Sequence, residues 1–187
     1  MVYSRRIIKA VELAYEWHGE QRRKSTDIPY MTHLFAVAAL VGEHGGDENQ
    51  FIAALLHDSV EDSGGKETLG RIREHFGDLV ADWVWGCSDS HTQPKPPWRE
   101  RKEKHLEVMR NAPPELKLIL AADKLHNTRS LALSYRLVGS KIWDRFNGGK
   151  EGTLWYHRSA FSALRYQWDH SILIDLAAAT EALFALE

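Results

Sequence analysis

The chain has 187 residues, 43% of them hydrophobic and 27% charged, with a net charge of -2. That is the composition of a soluble globular protein of one domain with a sizeable core, and its charge balance excludes bulk nucleic-acid binding while leaving room for a local basic pocket. Cys87 is the single cysteine, so no intrachain disulfide forms; no secretion signal is legible, and no apolar run is long enough to span a bilayer, which leaves a cytoplasmic protein without membrane contact as the expectation.

The predicted elements are helical from end to end. Ser4 is placed to cap a helix carrying Ile7, Val11 and Ala14 at helical spacing and running to Gly19. The basic loop "EQRRKSTDIPY" follows. "THLFAVAALVGEH" has a wide apolar face and ends before Gly45-Gly46. Asp47 then caps "ENQFIAALLHDSVED", and Gly64-Gly65 breaks the chain again. "ETLGRIREHFG" carries Leu69, Ile72 and Phe76 on one side with Gly77 as its stop. "DLVADWVWGCSDS" reads as a helix, "HTQPKPP" as a proline-held loop, and "WRERKEKHLEVMRNA" and "PPELKLILAADKLHNTRSLALSY" as two further helices. "FNGGKEG" is a turn, and residues 153–170 and 171–186 close an all-α chain without an alternating strand pattern.

The chemistry sits where apolar helices end in charge. In "AALLHDSVED" an apolar run meets His57 and Asp58, with Glu61 and Asp62 each four residues further on. On one helix these four form a polar stripe. Bare charges are costly to bury unless they are paired or hold a metal. Asp123 emerges from "LILAAD" with Asn127 four residues later, and His33 opens another apolar helix. Two histidines and two aspartates from three helices suit Mn²⁺, Fe²⁺ or Zn²⁺ better than Ca²⁺, and leave room on an octahedral ion for water or substrate. His18, His44, His75, His91, His105, His126, His157 and His170 read as ordinary hydrogen-bonded histidines.

The pieces "HGEQRRK", "PYMTH", "AALLHDSVED", Phe76-Gly77 and "LAADKLHNTRSL", in this order over residues 18–132, resemble the HD superfamily of metal-dependent phosphohydrolases. More narrowly they resemble the hydrolase domain of RelA/SpoT-type proteins and the small alarmone hydrolases. The resemblance implies an all-helical HD domain over residues 1–187 around one metal ion, Mn²⁺, bound by His33, His57, Asp58 and Asp123. It implies acid-base work by Glu61 and Asp62. It places Asn127 toward the substrate and Arg23 and Lys24 around the nucleotide, with Arg101 from the second basic segment as a further pocket residue. Lys150, Glu151 and Tyr156 keep a spacing found in RelA/SpoT hydrolase domains, which would set Lys150 near phosphate and Tyr156 against the nucleotide, although "KIWDRFNGGKEGTLWYHRSAF" otherwise departs from the metazoan form. The implied reaction is removal of the 3′-pyrophosphate of (p)ppGpp, giving GDP or GTP. The alternatives are another phosphohydrolase on the same scaffold (a nucleotidase, an NADPH phosphatase or an enzyme acting on a tRNA 3′ end) or a non-catalytic nucleotide sensor. Long RelA/SpoT proteins carry a synthetase domain after the hydrolase; 187 residues leave no space for one, so degradation without synthesis is expected. The sequence sets no oligomeric state.

Overall fold

The computed structural model describes residues 3–24, 26–90 and 94–186. His91 and the start of the predicted loop at 91–97 therefore lie outside the described residues. Among the described residues the chain forms ten α-helices and one 3₁₀ segment: α1 Arg6–His18, α2 Tyr30–Glu43, α3 Glu48–Leu56, α4 Ser59–Asp62, α5 Lys66–Phe76, α6 Asp78–Cys87, α7 Trp98–Asn111, α8 Pro114–Val138, the 3₁₀ segment Gly139–Arg145, α9 Gly149–Leu164 and α10 Ile172–Phe184. Among the described residues, extended pairing is limited to an isolated bridge between Arg22 and Pro29, which closes the basic loop.

Local chemistry accounts for most of the boundaries. Asp47 caps α3 through a reciprocal box with Gln50, satisfying two amides that the helix itself cannot. Gly77, at φ 86°, ends α5 and returns its N–H to the Arg73 carbonyl. At the other end of the chain, Ser4 does not occupy the cap position. α1 starts at Arg6 after Arg5, and the Ser4 hydroxyl accepts from the Arg6 amide at 3.2 Å.

α2, α3 and α8 meet at the centre. α3 buries Ile52 through Leu56 without interruption, and α8 buries Leu116 through Leu125. Packing on several sides removes the clean amphipathic stripe expected of a surface helix. α1 and α6 lie on α3, α10 covers α8, and α7 pairs with α9. A second, smaller core of Leu131, Ala132, Ile142, Trp143, Leu154 and Leu183 holds the 3₁₀ segment against α8, α9 and α10. Just beyond this segment, Gly148 admits the Trp98 ring: a Cβ there would meet its nearest ring atom at 2.6 Å.

The predicted continuous helix through "LLHDSVED" is broken. α3 stops at Leu56, His57 and Asp58 form a turn, and α4 is one short turn. The His57 side chain is part of the reason, because its Nδ1 takes the Ala54 carbonyl at 2.7 Å, the group a continuing helix would offer to residue 58. The break turns Asp58 back toward His57 while α4 carries Glu61 and Asp62 forward.

Candidate active site and metal centre

His33 projects from the first turn of α2, His57 from the end of α3, and Asp123 from the middle of α8. The His57 Nε2 lies 3.0 Å from Asp58 Oδ2 and 3.7 Å from Asp123 Oδ1; the His33 Nε2 lies 3.5 Å and 3.3 Å from the same two oxygens. Both Nε2 atoms are buried and have no hydrogen-bond partner. Their opposite ring nitrogens are engaged. His57 Nδ1 donates to the Ala54 carbonyl. His33 Nδ1 sits 2.7 Å from His126 Nδ1. Burial and the neighbouring His33 and Arg23 push the His126 pKa down to about 4, so His126 is neutral and adds no positive charge beside His33. Each imidazole is thereby held with Nε2 directed at the carboxylates. Among the described residues, His33, His57 and Asp58 form a group close enough to share one ion, and an Asp123 oxygen lies within 3.7 Å of both histidine Nε2 atoms. Burial opposes charge on His57, yet Asp58 and Asp123 outweigh it and push its pKa up to about 10. The cluster attracts positive charge, and two imidazoles with two carboxylates fit a divalent metal ion.

Further groups orient these four. The Tyr30 hydroxyl donates to Asp58 Oδ2 at 2.6 Å. Asp123 accepts from Asn127 Nδ2 through one oxygen and from Lys124 Nζ, at 2.6 Å, through the other. Asn127 Oδ1 in turn accepts from Arg23 at 2.6 Å. Asn127 thus ties the basic loop to the metal centre.

The centre lies in a cavity of about 610 Å³ lined by eight basic side chains (Arg22, Arg23, Lys24, Lys95, Arg101, Lys102, Lys124 and Arg145) and five acidic ones, with Asp58, Glu61, Asp62 and Asp123 among them. Glu61 accepts from Lys95 at 2.8 Å and from the Asp89 amide at 3.2 Å. Burial and the charge of Asp89 raise its pKa against the pull of Lys95. Asp62 accepts from Gln21 Nε2 at 2.9 Å, and Gln21 is braced by His18, which also meets Ser59.

A family model for the HD domain matches residues 10–154. The chain belongs to the HD-domain family. This HD domain is 39% identical over 128 residues to the Xenopus tropicalis guanosine-3′,5′-bis(diphosphate) 3′-pyrophosphohydrolase MESH1, covering 67% of this chain and 69% of that protein. The human protein of the same name is 37% identical over the same shares. The solved structure of lmo0812 from Listeria monocytogenes superposes with a TM-score of 0.73 at 30% identity, over 82% of this chain and 99% of that one. A metazoan SpoT orthologue superposes with a TM-score of 0.80 over 97% of each chain; at 24% identity, that likeness concerns the fold.

Most of the residues singled out in the sequence converge in this HD domain. Arg23, Lys24, Arg101, Asn127 and Tyr156 line the cavity together with Glu61 and Asp62. Lys150 does not: it is exposed on the first turn of α9 and lies outside the lining. Six residues on an α-helix advance about 240° past a full turn, so Lys150 and Tyr156 face different ways. Tyr30, Lys124 and His126 were not picked out. Tyr30 precedes His33 by three positions and Lys124 adjoins Asp123, spacings that place each beside a ligand. His126 had no signal beyond its type, and its contact with His33 exists only through the packing of α2 on α8.

The two loop cations differ in what they support. Lys24→Ala is expected to lower kcat/KM for a polyphosphorylated nucleotide about tenfold, the scale of one charge-assisted contact, while sparing a simple phosphate monoester. Arg23→Ala is expected to lower both, because Asn127 loses its partner. Parallel kinetics on the two substrates measure the difference; equal losses in Lys24→Ala would assign that residue no phosphate contact.

Proposed function

We propose that this HD domain, acting as a single domain over residues 1–187, is a Mn²⁺-dependent hydrolase that removes the 3′-pyrophosphate of (p)ppGpp in the cytoplasm. The observation that carries the reading is the pair of partnerless buried imidazole nitrogens facing two carboxylates, at the wall of a cavity rich in cations. The relatives named as guanosine-3′,5′-bis(diphosphate) 3′-pyrophosphohydrolases support the substrate.

An ion held by His33, His57, Asp58 and Asp123 would supply Lewis-acid polarisation of a phosphoryl oxygen and a nucleophile active near neutral pH. The other tasks fall to the chain itself. Tyr30, Asn127 and Lys124 fix the directions of the two carboxylates. Asp62, steadied by Gln21, accepts the proton of the attacking water. Glu61, whose carboxyl pKa is raised by burial and by Asp89, is the group that delivers a proton to the departing ribose oxygen. Arg22, Arg23 and Lys24 meet the phosphates at the basic loop.

Attack at the 3′ phosphorus releases intact pyrophosphate and leaves a 3′ hydroxyl. Incubation of the Mn²⁺-loaded protein with ppGpp, followed by ion-exchange separation, is expected to yield GDP and pyrophosphate. Surviving ppGpp alongside dephosphorylation of a 5′ mononucleotide would make the protein a nucleotidase. Tight ppGpp binding without turnover would make it a sensor. Replacing Mn²⁺ with Mg²⁺ or Zn²⁺ in the same assay tests the metal.

A further inference from the structure

Two lysines in the cavity are used neither by the proton-handling pair nor by the basic loop. Lys102 Nζ lies 2.5 Å from Asp89 Oδ2 and 4.6 Å from the centroid of the Tyr156 ring. Lys124 Nζ lies 2.6 Å from Asp123 Oδ2 and 5.5 Å from the same centroid. Both ammoniums therefore gather at one aromatic ring, where the negative face of the π-system attracts them. Asp89, with 3% of its side chain exposed, also takes the Arg101 guanidinium on its other oxygen. Three cations share two carboxylates, and one of the two belongs to the metal centre.

His105 adds an independent observation. It is 3% exposed and lines the same cavity, and its Nε2 is buried with no partner. Its Nδ1 lies 3.2 Å from the Tyr156 hydroxyl. Burial and the charges of Lys124 and Lys102 push the His105 pKa down to about 3, so the ring is neutral. We assign the Tyr156 hydroxyl as donor to Nδ1, which puts the ring proton on the partnerless Nε2, where it needs an acceptor. Two ammoniums and an unfilled N–H donor call for an anion with several oxygens. Tyr156 lines the same cavity, with its ring against the two lysines and its hydroxyl at His105.

Resting on the hydrolase reading above, we propose that Lys102, Lys124 and the His105 Nε2–H form a subsite for the diphosphate that leaves the substrate, with Asp89 and the Tyr156 ring as its positioning elements. Asp89 anchors Lys102 from one side and Tyr156 supports both lysines from another, so the cations are in place before the anion arrives.

Titration calorimetry of the metal-loaded protein with inorganic pyrophosphate tests this directly. Lys102→Met is expected to weaken pyrophosphate binding about tenfold or more, as loss of a charge-assisted contact in a partly dry site requires. Lys102→Arg is expected to restore part of it. His105→Phe, which keeps the ring and removes the donor, is expected to weaken binding several-fold. Tyr156→Leu is expected to raise KM for the nucleotide with little change in kcat. Metal content and melting temperature, measured on each variant, report the fold. Wild-type pyrophosphate affinity in both Lys102→Met and His105→Phe would overturn the subsite, as would a wild-type protein that binds no pyrophosphate. If pyrophosphate binds through Lys102 but ppGpp is left intact, the subsite stands and the alarmone reading falls. If Lys102→Met cleaves ppGpp with unchanged kcat and KM, the reverse holds.

Discussion

Asp58→Ala is expected to yield a folded protein that no longer retains a divalent ion and turns over substrate at least about a thousandfold more slowly, because an ion held there would supply both the polarisation and the nucleophile. Asp58 bridges toward both histidine Nε2 atoms, so its loss opens the cluster on one side. The structural cost includes the Tyr30 hydroxyl, which is left without its acceptor, about 1–3 kcal/mol, and the loss of one of the two carboxylates that face His57. Asp123→Ala is expected to lose the ion equally well but to be the less stable of the two. It strands the Lys124 ammonium, 8% exposed by residue, and removing one partner of a buried ion pair costs about 3–5 kcal/mol. Elemental analysis after desalting, together with thermal melts, distinguishes the two effects. Wild-type metal content in Asp58→Ala would remove Asp58 from the ligand set.

Asp62→Asn is expected to keep the ion and lose turnover by about a hundredfold to ten-thousandfold, the range for removing general acid-base help. Asparagine preserves the shape and can still pair with Gln21, so substrate affinity is expected to change little. Glu61→Gln is expected to fall in the same range. Lys95, its partner, remains a third exposed and solvated, so folding is spared. Saturating kinetics with metal content measured in parallel check both variants. Loss of the ion from Asp62→Asn would make Asp62 a ligand, and unchanged kcat would free it from proton transfer.

Where chemistry acts along a single stretch of chain, the sequence was enough. The Asp47 cap and the Gly77 stop were legible because capping is settled within a few residues. The all-helical class followed from apolar spacing. His57, Asp58 and Asp123 were conspicuous because each interrupts an apolar run that packing would otherwise fill. The turn at His57–Asp58 was not legible. It depends partly on a side chain taking a main-chain carbonyl, which residue spacing does not encode. Lys150 misled for a related reason: equal spacing in a motif says nothing about which side of a helix meets the cavity.

What only the tertiary structure decided is which groups from different helices come within hydrogen-bonding distance. Composition and periodicity determine an all-α chain with histidines and carboxylates at the mouths of apolar helices. The packing of α2 on α8 determines that His33 leans on His126, the seating of the basic loop over α8 that Arg23 reaches Asn127, and the packing of α7 and α8 against α9 that Lys102 and Lys124 gather at Tyr156. Those pairings join residues tens of positions apart. Helical periodicity names the face a side chain occupies, but the partner across that face is set by how close-packed side chains fix the angle and offset between helices.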